Sequence, residues 1–258
     1  MPSTGRTFDV VKAEHPRNRL FAAAEVQPAW LQREHRDRLW TPGVQLNQGS
    51  EGACVGFGCM AEALATPVRT KAARNPDAQG FRMYAEAKRR DEWQGENYDG
   101  TSLTGGGNAM KALGYLDKFI WLKTVREIAL AIAWSGPVVI GIPWTDYMDR
   151  LDKPTEFFEF GGTVRGWHCV LLYGVRGFNG YSPFNSRPHF LLRNSWGGES
   201  NGLLDAAAMS NMFSEGADAW VAQGRHQVGM LGVPDGMAEP LSAPPTGMGE
   251  QALEGIKR

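Results

Sequence analysis

Apolar residues recur at helical spacing in the first half of the chain and in short runs in the second. After Cys54, the residues Phe57, Met60, Ala61 and Leu64 fall at i, i+3, i+4 and i+7, the stripe of a buried helix that Pro67 ends. A second helix is expected from about Phe81 to Trp93, with Phe81, Tyr84, Ala85 and Lys88 on one side. The passage Thr104-Gly105-Gly106-Gly107 reads as a loop before a short helix through Met110 and Leu113 to Gly114. Thr124 to Trp134 is a further helix, stopped by Ser135-Gly136-Pro137. From there the pattern is that of strands. Val138 to Ile142, His168 to Val175 and Phe190 to Arg193 are apolar runs between turn residues. Helices first and strands later predict an α+β protein with the two kinds partly segregated.

Three segments follow from this pattern. Residues 1–40 form a mixed, polar N-terminal arm, with Trp30, Leu31 and Trp40 as its apolar anchors and the Pro42-Gly43 turn at its end. The arm is too short for a folded inhibitory prodomain. Residues 41–232 are the folded body. The tail, 233–258, is rich in Pro, Gly, Ala and Ser without apolar periodicity and is expected to be disordered.

Composition narrows the functional classes. Of the 258 residues 42% are hydrophobic, enough for one large domain or two small lobes. With 27 basic and 28 acidic residues the net charge is -1, so no basic excess points to nucleic acid or a membrane surface. Three cysteines are too few and too odd a set for a disulfide scaffold, which favours reduced thiols. The N-terminus lacks the pattern of a signal peptide, and no run approaches the ~18 apolar residues of a membrane span. A cytoplasmic or virion-associated monomer without metal or cofactor is the expectation.

Four residues carry candidate chemistry. Cys54 stands where a glycine-containing loop turns into a helix, and the helix N-terminus favours thiolate, the nucleophilic form. Gln48, six residues earlier, offers a side-chain amide that pairs with the Cys54 N–H as a two-donor oxyanion hole. His168 opens an apolar strand after Gly166 and Trp167 and is the candidate base. Asn194 ends another strand, where its carbonyl oxygen can orient that imidazole, with Trp196 as a roof that excludes water. Each residue alone has an ordinary structural reading. Together the four roles describe attack on a carbonyl.

The segments that carry them are Asn47-Gln48-Gly49-Ser50 through Cys54, Gly136-Pro137-Val138, Trp167-His168-Cys169-Val170-Leu171-Leu172-Tyr173-Gly174 and Leu192-Arg193-Asn194-Ser195-Trp196-Gly197. On these segments the chain resembles the papain-like (C1 family) cysteine peptidases, their bacterial and phage-type members in particular. Ala217-Asp218-Ala219-Trp220-Val221 looks like the closing strand of bacterial members, and the likeness spans about residues 40 to 223. The resemblance implies a two-lobe fold, a helical lobe led by the Cys54 helix and a β-barrel-like lobe bearing His168 and Asn194. It also implies a substrate cleft shaped by Ile140, Gly141, Trp167 and a glycine pair, for which Asp99-Gly100-Thr101-Ser102 and Thr104-Gly105-Gly106 both fit. Three positions depart from the family pattern. Glu51 replaces a usual disulfide cysteine, Val55 the usual tryptophan after the nucleophile, and Cys169 the usual alanine beside the base.

The expected function is a cysteine-type endopeptidase acting on a peptide or protein substrate. Two other readings stay open. One is a catalytically silent binding or structural module, such as a phage-particle component; the other is an amidase of cell-wall peptides.

Overall fold

The strands β1 (Arg38–Leu39), β2 (Leu116–Leu122), β3 (Val138–Thr145), β4 (Val164–Arg176), β5 (His189–Arg193), β6 (Gly202–Asp205) and β7 (Asp218–Arg225) form one sheet. Its order is β2-β7-β3-β4-β5-β6, with β1 added on β4, and every pairing is antiparallel. The protein is represented by a computed structural model that describes residues 8, 10–11, 22–95, 97–150, 156–177, 188–197 and 201–228. The expected tail, 233–258, lies outside the described residues. All of those described belong to one compact unit, Met1–Val228.

β3 explains why its sequence is an unbroken apolar run rather than an alternation. Val138, Ile140 and Ile142 enter one core and Val139 the other, so both faces of the strand are covered. The first core contains α5 (Val125–Trp134) and α6 (Ala206–Ser214) residues such as Ile128, Ile132 and Met209. The second holds α2 (Cys54–Leu64), α3 (Pro76–Lys88) and α4 (Leu103–Ala112) against Val139, Cys169, Leu171 and Trp220. The short α1 (Ala23–Val26) belongs to the arm. Within the arm, Leu31 and Trp40 are buried as expected, and Trp40 Nε1 donates to Ile132 O at 2.8 Å.

α2 begins at Cys54, and all of its residues are buried. α5 starts where the sequence places it, through a capping box in which Thr124 and Glu127 satisfy each other's backbone N–H. α3 departs from expectation. It begins at Pro76, five residues before Phe81, because Asn75 caps it by accepting from Ala78 N and proline is preset for the first turn. It ends at Lys88 rather than Trp93.

α4 departs further. Gly105, Gly106 and Gly107, read from sequence as a loop, lie inside the helix, whose cap is Ser102 accepting from Gly105 N at 2.9 Å. Glycine costs a helix about 1 kcal/mol per residue, and close packing offsets it. A Cβ on Gly106 would sit 2.7 Å from both Cys59 Sγ and Val55 Cγ1, and one on Gly107 would sit 2.6 Å from the Phe119 ring. Five elements were not read from the residues at all: α1, β1, β2, β6 and α6. Among the described residues, no helix is long and apolar enough to cross a membrane.

Candidate active site

Cys54 is the first residue of α2, and the helix is entered from Ala53, which makes no side-chain capping bond. The first N–H groups of α2 are therefore not claimed by a cap and remain a local positive end. The helix lies close on β4 because Gly58 has no side chain: a Cβ there would fall 2.6 Å from Cys169 Sγ. All three cysteines are buried thiols outside any disulfide. Burial pushes the Cys59 and Cys169 thiols well up, helped at Cys59 by the Glu62 charge, so both are neutral thiols at ordinary pH.

Another wall, on β4 and just beyond β5, holds His168 and Asn194, whose Nε2 and Oδ1 are 2.8 Å apart. The same Oδ1 accepts from Ser195 N at 2.7 Å. A backbone N–H can only donate, so this atom is the amide oxygen and His168 Nε2 must carry the proton. That leaves Nδ1 as the ring nitrogen for acid–base work. Trp196 stacks on the imidazole at 4.4 Å with 22° between the planes, and Trp144 meets it edge-on at 5.2 Å. The bond to Asn194 is thus formed in apolar surroundings where it is not exchanged for water.

Gln48 reaches this wall from the loop before α2. Its N–H donates to Ser195 O at 2.8 Å, and Asn47 bridges Trp196. Its side-chain Oε1 accepts from Ser195 Oγ at 2.5 Å, while Nε2 donates to Glu51 O at 2.7 Å. A primary amide has two N–H groups, so a second donor remains on Nε2. Asn194 is also held through its backbone. Its N–H donates to Asn201 Oδ1 at 2.7 Å, its carbonyl accepts from Gln45 Nε2 at 2.7 Å, and Asn201 donates to Gln45 Oε1 at 3.1 Å. Sequence reasoning missed Gln45, Asn201 and the role of Ser195. Their partners lie far away along the chain, and no spacing rule connects them.

The expected cleft residues divide. Gly141 and Trp167 line a groove with Leu103, Trp121 and Asp218. Ile140 does not join them, because strand alternation turns it into the core with Val138 and Ile142. Gly105 and Gly106 lie buried within α4, against Ala87, Asp91, Val55 and Cys59. Of the two candidate glycine segments, Ser102 of one and Thr104 of the other line the groove, while Gly100 is buried in the left-handed region at φ 83° and precedes Thr101. Thr101 Oγ1 donates to Asp91 Oδ2 at 2.6 Å and Gly100 N to Tyr84 Oη at 2.9 Å, which fixes this edge on α3 and the loop after it. Val55 is buried against Gly106, not at the groove. Among the described residues, no group of three His, Cys, Asp or Glu side chains is placed to hold a metal ion.

No known protein-family model matches the sequence, and no curated protein does. Solved structures do match. Xylellain, a cysteine protease from Xylella fastidiosa, aligns over 85% of this chain and 96% of its own, with a TM-score of 0.55 at 15% identity. The digestive procathepsin L 3 of the Tenebrio molitor larval midgut aligns over 73% of this chain and 70% of its own, with a TM-score of 0.53 at 15% identity. The fold is papain-like.

Within this papain-like fold, the helix that begins at Cys54 shares one core with Cys169 and Leu171 of the His168 strand, whose Val170 and Leu172 enter the other core. The Gln48 loop is stitched to the Asn194 segment by its backbone and side-chain bonds to Ser195. Cys54 and His168 each expose 0% of their surface and Gln48 1%, so the site is closed to solvent.

Proposed function

We propose that the chain is a cysteine peptidase in which Cys54 is the nucleophile, His168 the general base and acid, Asn194 the residue that orients it, and Gln48 an oxyanion donor. The observation that carries this reading is the 2.8 Å bond between His168 Nε2 and Asn194 Oδ1 under the Trp196 ring. Any buried imidazole needs a partner for its N–H. What favours catalysis is that the partner here is Asn194, the orienting amide of the four-residue set, and that the bond fixes the tautomer with Nδ1 as the basic nitrogen.

The steps follow from the protonation state. With Nε2 protonated, Nδ1 takes the Cys54 proton, giving a thiolate and an imidazolium. Sγ adds to the peptide carbonyl carbon, and the C=O electron pair moves to oxygen. The free Gln48 Nε2–H and the Cys54 backbone N–H hold that oxyanion. The Nδ1 proton passes to the amide nitrogen, the C–N bond breaks and the amine departs. A water then gives a proton to Nδ1 as its oxygen joins the acyl carbon, and the C–S bond breaks to release the acid.

The test is turnover of mixed peptides and denatured protein by the full chain. Cys54→Ala is expected to abolish it, and Gln48→Ala to lower kcat roughly 10²-fold or more by removing one oxyanion donor. Cleavage that survives in Cys54→Ala refutes the assignment.

A further inference from the structure

Asn194 stands one residue past the end of β5, where its backbone N–H and C=O no longer belong to the sheet ladder. Two side-chain amides satisfy them instead. Asn201 Oδ1 accepts from Asn194 N at 2.7 Å, and Gln45 Nε2 donates to Asn194 O at 2.7 Å. The two amides also meet each other. Asn201 Nδ2 donates to Gln45 Oε1 at 3.1 Å, and Gln45 Nε2 gives its other hydrogen to Leu46 O at 3.1 Å. This order of donors admits one arrangement. A backbone N–H can only donate, so Asn201 faces it with oxygen. The Asn201 nitrogen then points at the Gln45 oxygen, and the Gln45 nitrogen is left for two carbonyls, which can only accept. Turning either amide over would set donor against donor or acceptor against acceptor at each contact that amide makes. The pair also closes one end of a short ribbon. Gln48 N donates to Ser195 O at 2.8 Å, Gly197 N donates to Leu46 O at 3.1 Å, and Asn47 bridges Trp196 in antiparallel sense. Arg193 Nη2 adds a bond to Gly43 O at 3.1 Å just outside it.

We propose that Gln45 and Asn201 form a two-amide clamp and are positioning residues for the reaction, acting on it only by holding Asn194 and, through Asn194, the imidazole of His168. The inference rests on the peptidase reading, since the clamp has a catalytic consequence only if His168 is the base. The Asn194 side chain projects from a backbone that no strand holds, and its Oδ1 must serve Ser195 N and His168 Nε2 together. Small displacements of that backbone therefore carry straight to the imidazole bond. Once Oδ1 moves off Nε2, the ring is free to turn, and the tautomer with the proton on Nδ1 becomes populated. That tautomer cannot take a proton from the thiol. The clamp acts on the base and not on the oxyanion donor. Although Gln45 and Gln48 share a loop, the Gln48 amide is set by Ser195 Oγ and Glu51 O, two partners that Gln45 does not share.

The experiment is a pair of double-mutant cycles on the full chain. Gln45→Met keeps the length of the side chain and removes its donors and its acceptor. Alone, it is expected to lower kcat roughly tenfold while KM stays within about twofold of wild type. Added to Asn194→Ala it should cost less than about twofold more, because the residue it acts through is gone. Added to Gln48→Ala its full effect should persist. An effect that survives Asn194→Ala overturns the inference, as does one that vanishes with Gln48→Ala, which would assign Gln45 to the oxyanion loop. Unchanged kcat in Gln45→Met overturns it too. Should that variant fail to fold, Asn201→Ala, on the other side of the clamp, carries the same expectations. The imidazole gives a second readout that needs no turnover. In isotope-labelled protein the His168 Nε2 proton, followed by NMR, is expected to exchange with water roughly tenfold faster in Gln45→Met than in wild type. Equal exchange in the two proteins overturns the clamp. Faster exchange in the variant, in a protein whose wild type cleaves no peptide, keeps the clamp and sinks the peptidase reading.

Discussion

Asn194 Oδ1 accepts from Ser195 N and faces His168 Nε2 at once, and that double demand sets which imidazole nitrogen holds a proton. Gln45 and Asn201 hold the Asn194 backbone in turn, by one bond each and one between themselves, which fixes the point from which the orienting amide projects. The sequence offered the four central residues because their types carry chemistry. It could not offer the supporting ones, because glutamine and asparagine in loops are ordinary until their partners are known. The other two thiols invite a test of pH dependence. Burial raises the Cys59 and Cys169 thiols in the folded state, so folding favours their neutral forms. Their contribution to stability is complete below the ordinary thiol value of about 8.5 and is lost as pH rises beyond it. Urea unfolding from pH 7 to 10 is expected to show falling stability above about pH 8.5. In a Cys59→Ala/Cys169→Ala variant the slope should be shallower, and an identical slope would remove these thiols as the cause.

Glycines govern how the helices approach. Inside α2, a Cβ on Gly56 would fall 2.4 Å from Tyr84 N and 2.6 Å from Tyr84 Cα, both backbone atoms of α3 that have no rotamer to yield. Alanine is the better helix former by about 1 kcal/mol, yet Gly56→Ala is expected to destabilise the protein by roughly 1–3 kcal/mol through overpacking. Chemical denaturation measures the balance, and a stabilised variant would show that propensity outweighs contact. The same logic explains the error at α4. Gly105 to Gly107 carry loop propensity, and tertiary packing against Val55, Cys59 and Phe119 overrides it. Where local chemistry and packing agree, as at the Thr124–Glu127 capping box, the element was legible in advance.

Across the molecule, a buried ion pair ties the Cys54 helix to the last residue of β7. Arg225 Nε donates to Glu62 Oε1 at 2.6 Å, with 8% and 2% of the two side chains exposed. The same guanidinium donates to Ser135 O and Pro137 O beside the start of β3, and Gly136 leaves the space it needs. Removing one partner strands a buried charge, so Arg225→Ala is expected to cost about 3–5 kcal/mol. The double variant Glu62→Leu/Arg225→Met should recover much of that loss in urea unfolding. A single variant within 1 kcal/mol of wild type would show that the pair is relaxed by water.

By itself the sequence determined the helical stripe of α2, the capping box of α5, the apolar strands β3 to β5 and the order of the four candidate residues, because each is written in neighbouring positions or in residue chemistry. Tertiary structure alone decided that α4 absorbs its glycines, that Ser102 and Thr104 rather than Gly105 and Gly106 line the groove, and that Ile140 turns away from it. It also decided that Phe8, an ordinary apolar residue in a polar arm, comes to lie edge-on to the candidate base, with Val10 beside Trp167 and Gly141. Such outcomes depend on which surfaces meet after more than a hundred residues of intervening chain, and hydrophobic burial has no direction along a sequence.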